Sequence, residues 1–127
     1  MTSEIIQLGA YGEGVALDFL KEQGFKIRER NFKTKLGEID IVAEESGTIC
    51  FIEVKTRKSF AQGDPVEAIS KNKQFKLSQM ALNYLMEKKL DNKDARFDVV
   101  SIMIDTQGRK RIEIIKNAFD LSDHFYQ

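Results

Sequence analysis

An α+β domain built around a central mixed sheet is the fold class that the sequence predicts, and two observations indicate it. Helical and strand periodicities follow one another in the order αβββαββ. The 127 residues suffice for one core, and neither a repeat nor an interior linker divides them. We therefore predict a single domain over residues 1–127, with helices packed on a five-stranded sheet in an α/β sandwich-like arrangement.

The composition restricts the class of protein. Hydrophobic residues make up 42% of the chain and charged residues 31%, as in soluble globular domains. The formal net charge is zero, so any basic surface for an anionic partner has to be local. The single cysteine, Cys50, excludes an internal disulfide and fits a reducing compartment. We expect no signal peptide and no membrane span of ~18 apolar residues, and therefore a cytoplasmic protein.

The first helix is predicted from about Glu4 to Gln23, with Ser3 as its N-cap and Gly24 at its end. Glu13 is unusual because helical spacing places it on a face of small and apolar residues that ought to be buried. This face comprises Gly9, Ala16, Leu17 and Leu20. Either Glu13 is an inward carboxylate that belongs to a site, or it lies at the edge of the apolar stripe and points to water.

Residues 25–32 alternate in polarity and predict the first strand. The segment 26–35 carries five basic residues and one acid, Glu29. Such a run is usually a solvated face, and phosphate binding is the alternative interpretation.

The second and third strands are predicted within residues 36–57, joined by a tight turn at Ser46-Gly47. The period of two puts alternate apolar residues on one face of each strand. These are Ile39, Ile41 and Ala43 in the second strand, and Cys50, Ile52 and Val54 in the third. Closing the turn pairs Glu45 with Thr48, so Asp40 lies opposite Glu53, and Glu38 lies opposite Lys55.

This register places the Asp40 and Glu53 carboxylates side by side among apolar neighbours. Two like charges ~4 Å apart at an effective dielectric near 20 repel by about 4 kcal/mol. A proton shared between the acids, the adjacent Lys55 or a bound cation would offset this repulsion.

A second helix is predicted at residues 71–89, capped by Ser70, after another helix start at Asp64-Pro65-Val66-Glu67. Its predicted inward residues are Leu77, Ala81, Tyr84 and Leu85. Its first turns carry Lys71, Lys73, Gln74 and Lys76. Cations there oppose the helix dipole, so either an anionic partner or the lysine content of the helix explains them.

Two more strands are predicted at residues 96–104 and 109–116, separated by a turn over 105–108. The tail, residues 117–127, is predicted to form a short helical turn, and its His124 is interpreted as incidental.

The residue types exclude several kinds of chemistry. The single histidine and the buried-looking Cys50 provide neither a nucleophilic triad nor a zinc site. Gly9, Gly12 and Gly14 lie inside a helix, so they do not form a dinucleotide-binding loop. A hard-cation site with oxygen ligands remains, with a lysine beside it.

Asp40 followed by Glu53-Val54-Lys55 resembles the PD-(D/E)xK nuclease superfamily, which has the restriction-endonuclease-like fold. Nearly the whole chain is similar to a family of small bacterial proteins called YraN or UPF0102. The matching stretches are Gly12-Glu13, Arg30-Asn31, Gly37-Glu38-Ile39-Asp40, residues 51–57, Lys73-Gln74, residues 96–100 and Asn117-Ala118-Phe119. Ile39 departs from the proline in the superfamily's name.

The resemblance implies roles for the following residues. Asp40, Glu53 and the Val54 carbonyl bind Mg²⁺ or Mn²⁺, and Lys55 is the catalytic lysine. Glu13 matches the helical acid that archaeal Holliday-junction resolvases place near the metal, in contact with it directly or through water. The phosphate backbone is bound by Arg30, Arg57, Lys71, Lys73 and Gln74.

The resemblance implies a metal-dependent endonuclease acting on DNA, branched or linear, with RNA not excluded as a substrate. A catalytically inactive or partner-dependent nucleic-acid-binding module is the alternative. A third interpretation is a structural domain in which Lys55 and Arg57 neutralise the acids. Analogy with junction resolvases suggests a homodimer, and no membrane partner is expected.

Overall fold

The computed structural model describes residues 3–58 and 69–120, with side chains from Leu8 onward. Its elements are α1 (Ser3–Glu22), β1 (Lys26–Thr34), β2 (Gly37–Glu45), β3 (Thr48–Lys58), α2 (Lys71–Glu87), β4 (Ala95–Ile104) and β5 (Lys110–Phe119). Their order is the predicted one. The predicted helix start at Asp64–Glu67 and His124 lie outside the described residues. No helix within the described ranges is long and apolar enough to span a membrane.

The five strands form one mixed sheet in the order β1-β2-β3-β4-β5. β3 and β4 are parallel, and the other neighbouring strands are antiparallel. A parallel pair needs a crossover connection, and α2 lies within the one that joins β3 to β4. The α+β class with a mixed five-stranded sheet is thus confirmed.

Each face of the sheet is covered by one helix. On one face, Ala16, Leu17 and Leu20 of α1 belong to a core cluster with Cys50 and Ile52 of β3. On the other face α2 forms a second cluster with β3 and its neighbours, which includes Ile49, Phe51, Leu77, Met80, Ala81 and Tyr84. Because β3 is covered on both faces, a polar side chain in its middle is withdrawn from water.

Short-range signals predicted the ends of most elements. Gly24 has a φ of +94° after α1, and Ser70 caps α2 by accepting the Lys73 N–H at 3.1 Å. Ser46 and Gly47 have φ values of +51° and +84°, as a two-residue turn between β2 and β3 requires. β1 runs two residues further than predicted, to Thr34, and α2 ends two residues earlier, at Glu87.

The prediction that residues 117–119 belong to a helical tail was wrong. Asn117, Ala118 and Phe119 are the last residues of β5. The Asn117 N–H donates to Asp98 Oδ1 at 2.9 Å, and the Phe119 ring stacks on Phe97 with centroids 4.7 Å apart. These contacts with β4 extend the strand beyond its regular periodicity.

The prediction that Ile39 shares a face with Ile41 was also wrong. Ile39 packs in the α2 cluster, whereas Ile41 packs in the α1 cluster. Their partners on β1 are Phe32 and Arg30, and the intervening Asn31 has a φ of +51°. Asn31 and the facing Asp40 are not paired in the ladder, so the alternation of faces is interrupted where Asp40 lies.

Candidate metal centre

β2 and β3 separate at Asp40. Their ladder follows the predicted register from Glu45↔Thr48 to Ile41↔Ile52 and ends there, one position before Asp40 and Glu53. Asp40 Oδ2 accepts the backbone N–H of Val54 at 2.9 Å. The carboxylate of Asp40 therefore takes the place of a backbone partner, which fixes it at the opening between the strands.

A cleft of about 350 Å³ lies at this opening, and we call it the acidic cleft. Its charged lining residues are Glu13, Asp40, Glu53, Lys55 and Lys73, and Val54 lines it as well. The structure thus brings together the three acids and the lysine that the sequence singled out for catalysis. They come from α1, β2 and β3, and Lys73 is added by the first turn of α2.

The close approach of α1 to β3 explains how Glu13 reaches the acidic cleft. A Cβ atom placed on Gly12 would lie 1.8 Å from Thr56 Oγ1, so only glycine allows this separation. Glu13 is half-buried, and its two carboxylate oxygens lie 3.2 and 3.1 Å from Asn31 Nδ2. Of the two interpretations of Glu13, the inward carboxylate is therefore the observed one.

Burial shifts Asp40 and Glu53 toward their protonated forms. Burial, and then the charge of Glu53, raise the pKa of Asp40 to about 7, while the Val54 N–H opposes this shift. Burial also raises the pKa of Glu53, which is 3% exposed, against the opposing charge of Lys73. Near neutral pH, a proton or a cation is therefore readily accommodated beside Asp40.

The lysine that forms an ion pair with Glu53 is Lys73. Lys73 Nζ lies 3.0 Å from Glu53 Oε2, and the Lys73 side chain is 45% exposed. Glu53 Oε1 is buried and has no hydrogen-bond partner among the described residues. One oxygen of Glu53 is thus paired, and the other retains unused bonding capacity in the interior.

Two residues of the centre, Glu38 and Asn31, were not assigned to it by sequence reasoning. Carboxylate oxygens of Glu13, Glu38 and Asp40 all lie within 4.8 Å of one another. Asn31 Nδ2 donates to Glu38 Oε1 at 2.6 Å. The signal for Glu38 was its spacing of two residues from Asp40, whereas the backbone conformation of Asn31 leaves no periodic signal.

The residues predicted to bind phosphate are only partly gathered at the acidic cleft. Lys73 lines it, and Lys73 and Lys76 line an adjoining groove of about 450 Å³ that also contains Asp40 and Glu38. Gln74 Nε2 donates to the Ile69 carbonyl at 3.1 Å, so this amide nitrogen stabilises the start of α2. The other predicted residues, Arg30, Arg57 and Lys71, do not line the described cleft.

The fold and the cleft define a small α+β protein with an acid-lined opening between two strands of a mixed sheet. Residues 12–102 match the model of the family described as "Uncharacterised protein family UPF0102". The chain belongs to the UPF0102 family. The matched residues include every charged residue of the acidic cleft.

Relatives align with this chain over nearly their full length. The UPF0102 protein of Geotalea daltonii is 48% identical over 115 residues, which are 91% of this chain and 91% of the relative. That of Syntrophus aciditrophicus is 44% identical over 117 residues, 92% of this chain and 91% of the relative. That of Clostridium botulinum strain Loch Maree is 45% identical over 116 residues, 90% of this chain and 94% of the relative.

Proposed function

We propose that the protein is a divalent-metal-dependent nuclease of the restriction-endonuclease-like fold that hydrolyses phosphodiester bonds in DNA. One observation carries the proposal. Asp40, Glu53 and Lys55, together with Glu13 from α1, line a single cleft at the point where β2 and β3 separate. Paired acids with an adjacent lysine suit the binding of a cation and a phosphate group.

The donor set fits a hard cation such as Mg²⁺ or Mn²⁺. The acidic cleft offers carboxylate oxygens without a histidine or cysteine among its described lining residues. Asp40 and Glu53 would hold the ion, with Val54 as a further ligand through its carbonyl. Glu53 Oε1, which has no partner among the described residues, offers a ligand oxygen. When bound, the cation lowers the pKa of water and stabilises negative charge on the phosphate.

The protein's own side chains account for the other steps. Lys55 lines the cleft, and its ammonium group would orient the attacking water and neutralise charge developing on the phosphate oxygens. The water oxygen attacks phosphorus and loses a proton to solvent as the bond to the opposite ester oxygen breaks, and the leaving oxygen takes up a proton from solvent. Lys73, at the cleft rim, and Lys76, in the adjoining groove, would bind neighbouring phosphates.

A nucleic-acid-binding module without turnover of its own is the second candidate function. The ion pair between Lys73 and Glu53 favours the binding module, because this pair neutralises one of the two acids without a metal ion. The zero net charge also favours a weak or partner-dependent interaction with nucleic acid. Either candidate is compatible with a homodimer, which sedimentation in solution would test.

Cleavage of labelled linear, flapped and four-way-junction DNA, and of matched RNA, tests the proposal in Mg²⁺ or Mn²⁺. Asp40→Asn retains an acceptor for the Val54 N–H, and Lys55→Met retains the length of the side chain. We expect each to lower the cleavage rate by about 100-fold or more. Glu44→Gln on β2 and Lys58→Met on β3 are matched controls that lie outside the acidic cleft.

The outcomes separate the two candidate functions. Metal-dependent cutting that both cleft variants lose supports the nuclease and identifies the shape of its substrate. If the wild type binds DNA with a strong salt dependence but cuts no substrate, the binding module replaces the nuclease. Cutting that persists in Asp40→Asn and Lys55→Met would trace the activity to a contaminant and contradict the proposal.

A further inference from the structure

Asn31 joins two acids that come from different elements. Its Nδ2 atom donates to Glu38 Oε1 on β2 at 2.6 Å and lies 3.2 and 3.1 Å from the two carboxylate oxygens of Glu13 on α1. Ionised carboxylates only accept hydrogen bonds, so the nitrogen of the amide has to face both acids. A φ of +51° at Asn31 turns its side chain out of the regular alternation of β1.

The choice of an amide leaves the negative charge of the acids in place. An arginine or lysine at this position would neutralise them, whereas a neutral amide only holds them together. Among the described ion pairs, none joins Glu13, Glu38 or Asp40 to a basic side chain. Within the described part of the chain, three adjacent carboxyl groups are thus gathered without an ion-paired basic side chain, an arrangement that suits a cation.

An independent feature of the acidic cleft also points to a ligand. Glu53 is almost fully buried, with an exposed fraction of 3%, and its Oε1 has no partner among the described residues. Glu53 lines the same cleft as Glu13 and Asp40. A buried carboxylate oxygen without a partner is unfavourable unless something binds it, so Glu53 independently indicates a ligand in the acidic cleft.

We propose that Glu38 is a direct ligand of the divalent cation, together with Asp40 and Glu13, and that Asn31 is the residue that positions Glu38 and Glu13. This inference rests on the metal centre of the proposed function and adds a ligand to it. Oxygens bound to one Mg²⁺ lie about 3.0 Å apart when they are adjacent and about 4.2 Å apart when they are opposite. Since the three acids offer oxygens within 4.8 Å of one another, movements of about 1 Å allow them to share an ion.

Mn²⁺ binding by the full chain, without nucleic acid, tests this assignment through electron paramagnetic resonance of the free ion. Glu38→Gln still accepts from Asn31 but loses its charge. Asn31→Gly removes the amide at a backbone conformation that glycine adopts without strain. We expect Glu38→Gln to weaken Mn²⁺ binding at least about tenfold, and Asn31→Gly to weaken it about tenfold.

Two controls separate positioning from general damage. Glu44→Gln removes an acid from the far end of β2 and should bind Mn²⁺ like the wild type. If Asn31 acts through Glu38, the two substitutions are not independent. The double variant Asn31→Gly with Glu38→Gln should then lose less Mn²⁺ affinity than the product of the two single-variant losses. A structural role alone would lower the stability of Asn31→Gly and leave the two effects on binding independent.

The results distinguish this inference from the proposed function. If Glu38→Gln binds Mn²⁺ within twofold of the wild-type affinity, the inference is overturned. A crystal structure with Mn²⁺ whose anomalous peak lies out of contact with Glu38 would also overturn it. The proposed nuclease function still stands after those outcomes if Asp40→Asn abolishes cutting. Glu38-dependent Mn²⁺ binding by a wild type that cuts no nucleic acid supports the inference and refutes the nuclease. A wild type that binds no Mn²⁺ overturns both.

Discussion

Two groups of acids lie on or beside β2, one around Glu45 and one around Asp40, and they differ in their partners. Asp98 of β4 is fully buried and accepts from Arg96 Nε at 2.9 and 3.0 Å and from the Asn117 N–H at 2.9 Å. Glu45 beside it accepts from Arg96 at 2.6 Å and from Lys116 at 2.8 and 2.9 Å. We call this group of Glu45, Arg96, Asp98 and Lys116 the closed network, because each carboxylate oxygen in it has a donor.

The acidic cleft around Asp40 is open by the same criterion. Its acids face one another, one oxygen of Glu53 has no partner among the described residues, and the pKa of Asp40 is raised by burial and by Glu53. At the closed network, by contrast, the hydrogen bond from Lys116 lowers the pKa of Glu45. A charge network that serves the fold satisfies its members internally, whereas a ligand site leaves capacity for the ligand.

The largest expected effect on stability is at the closed network. Asp98→Ala leaves the Arg96 guanidinium and the Asn117 N–H without their buried acceptor, so we expect the free energy of unfolding to fall by about 3–5 kcal/mol. Urea denaturation measures this, with Asp94→Ala, an exposed acid just before β4, as the control. A loss below about 1 kcal/mol would mean that the network contributes little to the fold.

The opposite sign is expected at the acidic cleft in the absence of metal. The folded-state pKa of Asp40 is about 7 against an ordinary value of 3.8, so the wild type loses stability as the pH rises between these values. Asp40→Asn removes this penalty, and above pH 7 it should stabilise the protein by about 2–4 kcal/mol. At pH 4 the gain should nearly vanish, because the Asp40 of the folded wild type is then protonated.

Urea denaturation in EDTA from pH 4 to pH 8 measures the difference, and adding Mn²⁺ should stabilise the wild type but not the variant. The half-exposed Glu44 on the same strand provides the control substitution Glu44→Gln. A gain in stability that does not change with pH would show that the ionised carboxylate of Asp40 does not destabilise the folded protein.

A smaller effect is expected where α1 approaches the acidic cleft. Alanine at Gly12 would collide with Thr56 Oγ1 and Cβ, so we expect Gly12→Ala to cost about 1–3 kcal/mol and to weaken Mn²⁺ binding by displacing Glu13. Gly14→Ala is the matched control, because no described atom lies within 4 Å of its added Cβ. In the helix interior it should instead stabilise by up to about 1 kcal/mol. Equal effects at both glycines would contradict a close approach at Gly12.

The order of elements and most of their ends were predicted because local signals determine them. Gly24, Ser70 and the turn at Ser46-Gly47 act within a few residues, and the turn alone fixes the pairing of β2 with β3. The interruption at Asn31 and Asp40 was not predictable in this way. The period of two assumes an unbroken ladder, and a positive φ at an asparagine is decided by the contacts that the side chain finds.

The candidate site shows the same limit. Sequence reasoning grouped Glu13, Asp40, Glu53 and Lys55, and these residues do line one cleft. It did not pair Glu53 with Lys73, because that contact depends on where the first turn of α2 stands over β3. Nor did it assign Glu38, whose neighbours become clear only when α1, β1 and β2 are seen together.

The smallest expected effect is at the exposed edge of the closed network. Lys116 is 47% exposed, and Arg96 still donates to Glu45 when Lys116 is replaced. Lys116→Met should therefore lower the free energy of unfolding by less than about 1 kcal/mol, because exposed ion pairs are screened by solvent. It should also move the pKa of Glu45 back toward its ordinary value, which carboxyl NMR titration measures. A loss of stability as large as that in Asp98→Ala would mean that the closed network depends on its exposed lysine. The burial of a member would then not determine how much that member stabilises the fold.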